Sequence, residues 1–134
     1  MQLRLLRWTL VASGIAWAAS VFGIFLPWDA AERALVGLGA GAIPRDPMLE
    51  YWLRMAAGAF TFVGIWFFVM AARPRTHAAA IPWFGALMVA EGIVLLVSGT
   101  RLGLPPFPFA ADTGVCLAGG VAILALSPHA RSGS

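Results

Sequence analysis

The chain is poor in the residues on which most catalytic and metal sites depend. Its 134 residues include a single cysteine, Cys116, and only two histidines, His77 and His129. One cysteine cannot form an intramolecular disulfide or a cysteine-based metal cluster. Both histidines lie outside the long apolar segments, whereas haem ligation inside a membrane requires histidines within them. We therefore expect no metal site and no cofactor.

Charge is scarce as well. Charged residues make up 11% of the chain and hydrophobic residues 60%, with a mean hydropathy of +0.85. A soluble domain of this length needs a charged surface that such a composition does not supply. Four apolar segments instead approach the length that crosses a bilayer, about 20 residues. They cover residues 9–26, 51–72, 80–99 and 109–127.

Each segment is predicted to be an α-helix, because a backbone in lipid must satisfy its own hydrogen bonds and the alternation of a membrane β-strand is absent. The sequence thus predicts an all-α membrane protein, a single domain over residues 1–134 with four transmembrane helices in a bundle. The first segment also resembles a signal peptide, since Arg4 and Arg7 precede an apolar run that contains "AWAAS". Because the run continues past that site to Leu26, we expect a retained membrane anchor.

The longest connection, residues 27–50, is predicted to contain a short interfacial helix at the outer surface of the membrane. Asp29 is placed to cap its start, with Glu32 at the third helical position. Further along, Asp46 is predicted to cap the second transmembrane helix, and Pro47 to be its first residue.

The distribution of arginine predicts the orientation, since all nine basic residues are arginine. An even number of spans places both termini and the second connection on the same side of the membrane. Five arginines fall on that side: Arg4, Arg7, Arg73, Arg75 and Arg131. The positive-inside tendency makes that side cytoplasmic. We expect a multi-pass protein of the bacterial inner membrane with cytoplasmic N- and C-termini. Anionic lipid headgroups, and not nucleic acid, are the expected partners of these arginines.

Catalytic groups are not predicted. The intramembrane serines, Ser13, Ser20 and Ser98, have no histidine or lysine within the segments to serve as a base. No glycine-rich phosphate-binding loop follows a predicted strand. We therefore expect the protein not to be an enzyme.

Polar residues within the apolar segments are spaced seven apart, so that the members of each pair share one face of a helix. The pairs are Ser13 and Ser20, Arg54 and Thr61, and Glu91 and Ser98. A further acid, Asp112, begins the fourth segment. We expect a polar pocket in the outer half of the membrane, formed by Arg54, Thr61, Glu91, Ser98 and Asp112.

Glu91 is the one acid predicted to lie deep in the membrane. At 1.5 Å per residue, Glu91 lies about 12 Å from the outer end of its helix. Arg54 lies about 5 Å from the outer end of the second helix. The long arginine side chain can cover the difference in depth. An ion pair between them would lock the helices together, since a charge in hydrocarbon costs at least about 2.5 kcal/mol. Alternatively, Glu91 is a proton or cation site, the usual role of an intramembrane carboxylate.

The fourth segment carries a pattern typical of close helix packing. Gly114, Ala118 and Ala122 form a small-xxx-small series that predicts the close approach of another helix. The connection before this segment, "LGLPPFPF", is predicted to be a rigid loop folded over the outer end of the bundle.

The stretches "GIFLP", "LRMAAGAFTFVGIWFF" and "SGTRLGLPPFPFAADTGVCLAGGVAIL" carry a resemblance to small four-span bacterial inner-membrane proteins of unknown function, broadly of the DoxX type. This resemblance covers most of the chain and implies a fold, but no reaction. The stretch "VAEGIVLLVSGT" is similar to the setting of the membrane glutamate in small multidrug resistance exporters. Their glutamate lies in the first span and Glu91 in the third. The second resemblance implies a dimeric antiporter that exchanges drugs for protons.

Two functions are compatible with these observations. The first is a non-enzymatic accessory or oligomer-forming membrane protein, which acts through helix packing in a homo-oligomer or a larger membrane complex. The alternative is a small transporter or channel subunit with Glu91 as its proton or cation site. A water-accessible cavity at Glu91 would favour the alternative.

Overall fold

The structure is a computed structural model that describes residues 1–41 and 43–130, apart from the side chain of Pro108. Within that part of the chain every regular element is a helix. The elements are α1 (Gln2–Ala18), α2 (Val21–Phe25), α3 (Trp28–Gly37), α4 (Pro47–Ala72), α5 (Ile81–Leu102), α6 (Pro106–Leu126) and a final 3-10 helix (Ser127–Ala130). Arg131, one of the arginines that predict orientation, lies outside the described residues.

Among the described residues, four helical stretches are long and apolar enough to cross a membrane: Gln2–Phe25, Pro47–Ala72, Ile81–Leu102 and Phe109–Ala130. The first of them joins α1 and α2, which are separated by a turn at residues 19–20. The prediction of an all-α chain with four candidate membrane spans is confirmed.

α1 begins at Gln2, ahead of the apolar segment predicted from residue 9. Leu6 and Leu10 are fully buried, and Leu3 packs against the same buried cluster. These three leucines fall on one face of a helix, while the arginines between them stay exposed. The buried leucine face therefore allows α1 to include the residues around Arg4 and Arg7, which hydropathy alone leaves out of the span.

The start of α4 is as predicted. Asp46 Oδ1 accepts hydrogen bonds from the backbone N–H groups of Met48 (2.7 Å) and Leu49 (3.1 Å), and Pro47 is the first helical residue. The two N–H groups would otherwise lack a partner at the helix N-terminus.

α3 occupies the place of the predicted short helix, but it begins differently. Pro27 is the N-cap residue, while Asp29 is in the first turn and makes no capping hydrogen bond. The predicted cap at Asp29 is therefore wrong, because the restricted φ of Pro27 already directs the chain into the helix. Asp29 instead places a favourable negative charge near the helix N-terminus and lies 4.0 Å from Nη1 of Arg45. After the helix ends, Gly39 adopts a φ of +99°, which favours glycine.

The candidate spans pack in the order α4, α1, α6, α5. α1 packs along α4 and also against α6, α6 packs along α5, and the short α2 adds to the contact with α4. Within the described residues, α4 and α5 meet mainly beside their connection, where the ring centroids of Phe67 and Phe84 are 5.4 Å apart. Spans two and three, which are neighbours in the sequence, are therefore separated over most of their length.

The buried core lies at one end of the helices. Its members come from the start of α1, the end of α4, the first half of α5, the end of α6 and the final 3-10 helix: Leu6, Leu10, Phe67, Met70, Ala71, Ile81, Met88, Ile123 and Ala130. We call this the arginine end, because it carries Arg4, Arg7, Arg73 and Arg75. The opposite end is called the acidic end, because it carries Asp29, Glu32, Asp46 and Glu50.

Close contact between α5 and α6 depends on glycines. A Cβ added at Gly92 would lie 2.7 Å from the side chain of Leu117, and one added at Gly120 would lie 2.8 Å from the α5 backbone. The space around Gly114 is open. Gly114, the first residue of the predicted small-residue series, therefore takes no part in this contact, which Gly92, Leu117 and Gly120 form.

Candidate functional site

A cavity toward the acidic end contains two carboxylates that come from different helices. Glu91 of α5 is half-buried, Asp112 of α6 is exposed, and both line this space of about 270 Å³. We call it the carboxylate cavity. Its lining residues are Ala16, Trp17, Ser20, Phe60, Glu91, Leu95, Asp112, Val115 and Cys116.

Aromatic side chains form part of the wall of the carboxylate cavity. The rings of Trp17 and Phe60 pack edge to face with their centroids 5.3 Å apart. No basic side chain of residues 1–41 and 43–130 lines this cavity. Aromatic rings attract cations, and carboxylates attract them more strongly. The lining therefore favours a positively charged occupant.

A second cavity, of about 290 Å³, adjoins the first and shares Leu95 and Asp112 with it. We call it the end cavity, because residues that follow α3 and the connection between α5 and α6 contribute to its wall. Its lining residues are Leu35, Leu38, Gly39, Ala40, Leu95, Ser98, Gly99, Leu104, Pro105, Phe109 and Asp112. Asp112 thus stands at the junction of the two cavities.

The local structure of α6 places Asp112 at this junction. Phe107 has non-helical dihedral angles (φ −108°, ψ 134°), so the candidate span begins at Phe109. Asp112 is then in the first turn of the straight part of the helix, where free N–H groups and the helix dipole stabilise a negative charge. Gly99 allows the ring of Phe109 to pack on α5, because a Cβ at Gly99 would overlap that ring. The bend and the glycine together hold Asp112 beside α5.

Arg54 lines neither cavity. Its Nη2 lies 2.6 Å and its Nε 3.2 Å from Glu50 Oε1, one helical turn earlier. The guanidinium also donates hydrogen bonds to the carbonyl oxygens of Ile24 and Leu26. These carbonyls lie at the C-terminal end of α2, where helical partners are missing. Arg54 therefore caps α2, and Glu50 orients the guanidinium.

The predicted ion pair between Arg54 and Glu91 is wrong. Among the residues that the structure describes, Glu91 takes part in no salt bridge. The physical reason is the order of the helices: α4 carries Arg54 against α1 and α2, whereas Glu91 is on α5, which packs on α6. The sequence contains a signal for the correct pair, because Glu50 precedes Arg54 by four residues, a spacing at which helix neighbours interact.

The remaining predicted site residues divide between the cavities and the packing. Ser98 lines the end cavity and Asp112 lines both cavities. Thr61 is buried in α4, and its Oγ1 donates a hydrogen bond of 2.7 Å to the carbonyl oxygen of Ala57. That local bond satisfies the hydroxyl without any ligand.

Sequence reasoning misses the walls of the carboxylate cavity. Trp17, Phe60 and Cys116 give no signal, because apolar side chains in a membrane span normally face lipid or a neighbouring helix. Apart from the two acids, only Ser20 among the lining residues is indicated, by its spacing of seven from Ser13. Cys116 is buried. Like the rings of Trp17 and Phe60, it lines the cavity because of how the helices pack, which the sequence does not reveal.

A double-mutant cycle tests which acid interacts with Arg54. We expect Arg54→Gln and Glu50→Gln to couple by about 0.3–0.5 kcal/mol, the usual range for an ion pair one helical turn apart. Arg54→Gln and Glu91→Gln should be additive within about 0.5 kcal/mol. The free energy of unfolding in mixed detergent–dodecyl sulfate micelles gives both values. A stronger coupling of Arg54 to Glu91 than to Glu50 would contradict the assignment.

No group of three or more histidine, cysteine or acidic side chains placed to hold a metal ion occurs in the described residues. Comparisons of the chain with protein-family models, with curated proteins and with solved structures gave no match. The resemblances to DoxX-type proteins and to small multidrug resistance exporters therefore stay predictions.

Proposed function

We propose that this chain is a non-enzymatic integral membrane protein that binds a cation or protons in the carboxylate cavity, as a small transporter or channel subunit does. One observation carries the proposal: Glu91 and Asp112, from two different helices, line one cavity in which no described basic residue takes part. Because Arg54 forms its ion pair with Glu50, it does not form the structural ion pair that was predicted for Glu91.

The energetics of the carboxylate cavity favour a positively charged occupant. A charged side chain within a bilayer costs at least about 2.5 kcal/mol, and two carboxylates in one site repel each other. Protonation or a bound cation removes both penalties. Protons and another cation would therefore compete for this site, because each of them neutralises the same carboxylates.

The chemistry of the lining points to an organic cation. Two carboxylates and the rings of Trp17 and Phe60 provide charge attraction and apolar contact in one space. Cation–π attraction is strongest for weakly hydrated cations, as in the aromatic cages that bind quaternary ammonium groups. A small, strongly hydrated metal ion would gain little from these rings.

The adjoining end cavity supplies a route. Asp112 lines both spaces, so a cation that enters beside Ser98 would meet Asp112 before it reaches Glu91. In this proposal the arginine end faces the cytoplasm of a bacterial inner membrane, α3 lies at the outer surface, and the end cavity opens toward that surface.

Titration with a matched pair of ligands tests the proposal. Tetraphenylphosphonium is a large lipophilic cation, and triphenylphosphine oxide is an uncharged compound with similar rings. Isothermal titration calorimetry on the purified protein in neutral detergent should detect binding of the first and not of the second. Equal binding of both would mean that the cavity recognises apolar surface alone.

An accessory or oligomer-forming protein is the second candidate. The observation that favours it is the exposure of Gly114 and Ala118 on α6, with open space around Gly114. Such a face allows a helix of a second copy or of a larger complex to approach closely. Native mass spectrometry of the wild type and of Gly114→Leu tests this: an oligomer built on this face should be lost in the variant.

A further inference from the structure

The arginine end contains a cavity that the proposed function does not use. Its volume is about 450 Å³. The wall combines the beginning of α1 with the end of α4 and the connection after it. We call it the arginine cavity, and its lining residues are Leu3, Arg4, Arg7, Ala72, Arg73, Pro74, Arg75 and Thr76.

The four arginines of this cavity have no acidic partner in the described part of the chain. The ion pairs found there join Arg45 to Asp29 and Arg54 to Glu50, both at the acidic end. All six acids of the chain are among the described residues, and none of them lines the arginine cavity. Four like charges around one space repel one another, so an anion in that space would be stabilised by all four.

The two walls of the arginine cavity are held in place by the fold. On α1, Leu6 and Leu10 are fully buried and fix the turns that carry the arginines. On the other side, Pro74 is fully buried between Arg73 and Arg75. Because α1 packs directly along α4, the distance between the walls is set by a helix contact. The backbone positions that carry the four arginines are therefore fixed by packing.

We infer that the arginine cavity is a binding site for a phosphate group. A guanidinium presents a planar fork that matches phosphate oxygens through paired, charge-assisted hydrogen bonds. The volume falls within the range of about 300–1,000 Å³ that is usual for small-molecule sites, so the space admits a headgroup as well as a free phosphate. It lies where two candidate spans begin and end, which is the depth of lipid headgroups. An anionic phospholipid is therefore the favoured source of the phosphate.

This inference is independent of the carboxylate cavity, since the two cavities share no lining residue and lie toward opposite ends of the helices. A bound anionic headgroup would tie α1 to the connection between α4 and α5. The failure of cation binding at Glu91 would leave this site untouched, and the reverse is also true.

Lipid titration tests the site. The purified full-length protein in neutral detergent is titrated with dihexanoyl-phosphatidylglycerol, and bound lipid is counted by native mass spectrometry. Each arginine near a charged lipid surface is worth about fivefold in affinity, so the variant Arg7→Gln/Arg73→Gln should bind roughly 25-fold more weakly. The neutral dihexanoyl-phosphatidylcholine should bind weakly to both proteins. Binding to the wild type should also weaken as salt is added.

Matched variants separate the cavity from charge in general. Arg33→Gln/Arg101→Gln removes two exposed arginines that do not line the cavity, and it should keep the wild-type affinity. Thr76→Glu retains all four arginines but adds a carboxylate to the wall at an exposed position, so it should weaken binding with little risk to folding. Inorganic phosphate is the competitor: displacement of the lipid means that the site accepts free phosphate, and no displacement means that it requires the headgroup.

The site is excluded if Arg7→Gln/Arg73→Gln and Thr76→Glu both retain the wild-type affinity, or if the control at positions 33 and 101 loses as much affinity as the cavity variants. Circular dichroism of each variant confirms that the helices are retained. An Arg7→Lys/Arg73→Lys variant should recover part of the affinity, since it restores the charge without the planar fork.

Discussion

Glu91→Gln should weaken tetraphenylphosphonium binding about 30-fold while the protein stays folded. The substitution keeps the shape of the side chain but removes the charge that the cation meets in the carboxylate cavity. Removing one partner of a desolvated charge pair costs about 2–5 kcal/mol. Because Glu91 is only half-buried, we expect the lower end of that range. The folded state should survive, since no salt bridge of the described residues involves Glu91.

The matched control is Glu32→Gln on α3. Glu32 is half-buried like Glu91 but lines neither cavity, so its variant should bind tetraphenylphosphonium as the wild type does. In proteoliposomes, uptake of the cation driven by a proton gradient should fall to the protein-free background in Glu91→Gln only. Retained uptake in that variant would rule out Glu91 as the site, and loss of folding would return it to a structural role.

Gly64→Ala should be among the most destabilising single-methyl changes in the chain. Gly64 is buried where α4 meets the end of α1. A Cβ at this position would lie 2.7 Å from the Cβ of Ala18 and closer still to its backbone nitrogen. Backbone atoms of a packed helix cannot move aside as a flexible side chain can, so the helices must separate. Overpacking of this kind costs about 1–3 kcal/mol.

Gly58→Ala on the same helix gives the control for Gly64→Ala. Apart from the chain immediately around Gly58, no atom of the described residues lies within 4 Å of a Cβ added there, so the substitution should stabilise α4 by up to about 1 kcal/mol through helix propensity alone. Unfolding in dodecyl sulfate micelles, followed by circular dichroism, should therefore separate the two variants clearly. If both variants shift the midpoint in the same direction, the close contact of α1 with α4 is not as described.

The number of spans follows from the sequence because it depends on local properties. An apolar run of bilayer length is visible in hydropathy, and the cap formed by Asp46 and Pro47 is a contiguous motif. The start of α1 does not follow, since the arginines at positions 4 and 7 interrupt the apolar run. Their exposure beside buried Leu6 becomes visible only once α1 is packed.

The carboxylate cavity depends on which helices are neighbours, and the packing order of the helices cannot be predicted from local sequence patterns. A short connection between spans two and three predicts contact along their length, yet α4 packs on α1 and α5 on α6. Arg54 therefore finds Glu50 and the end of α2, while Glu91 is left with Asp112. Local spacing indicates the first pair, whereas the second pair depends on the contact of α5 with α6.

The pH dependence of cation binding shows whether the carboxylates of the carboxylate cavity are the binding site. Protons and tetraphenylphosphonium should compete for the same carboxylates, so affinity should fall as the pH is lowered and the carboxylates take up protons. The double variant Glu91→Gln/Asp112→Asn should bind weakly at every pH and show no such dependence. Both results are expected together; tight binding that is the same at every pH, or that persists in the double variant, would show that these carboxylates are not the binding site.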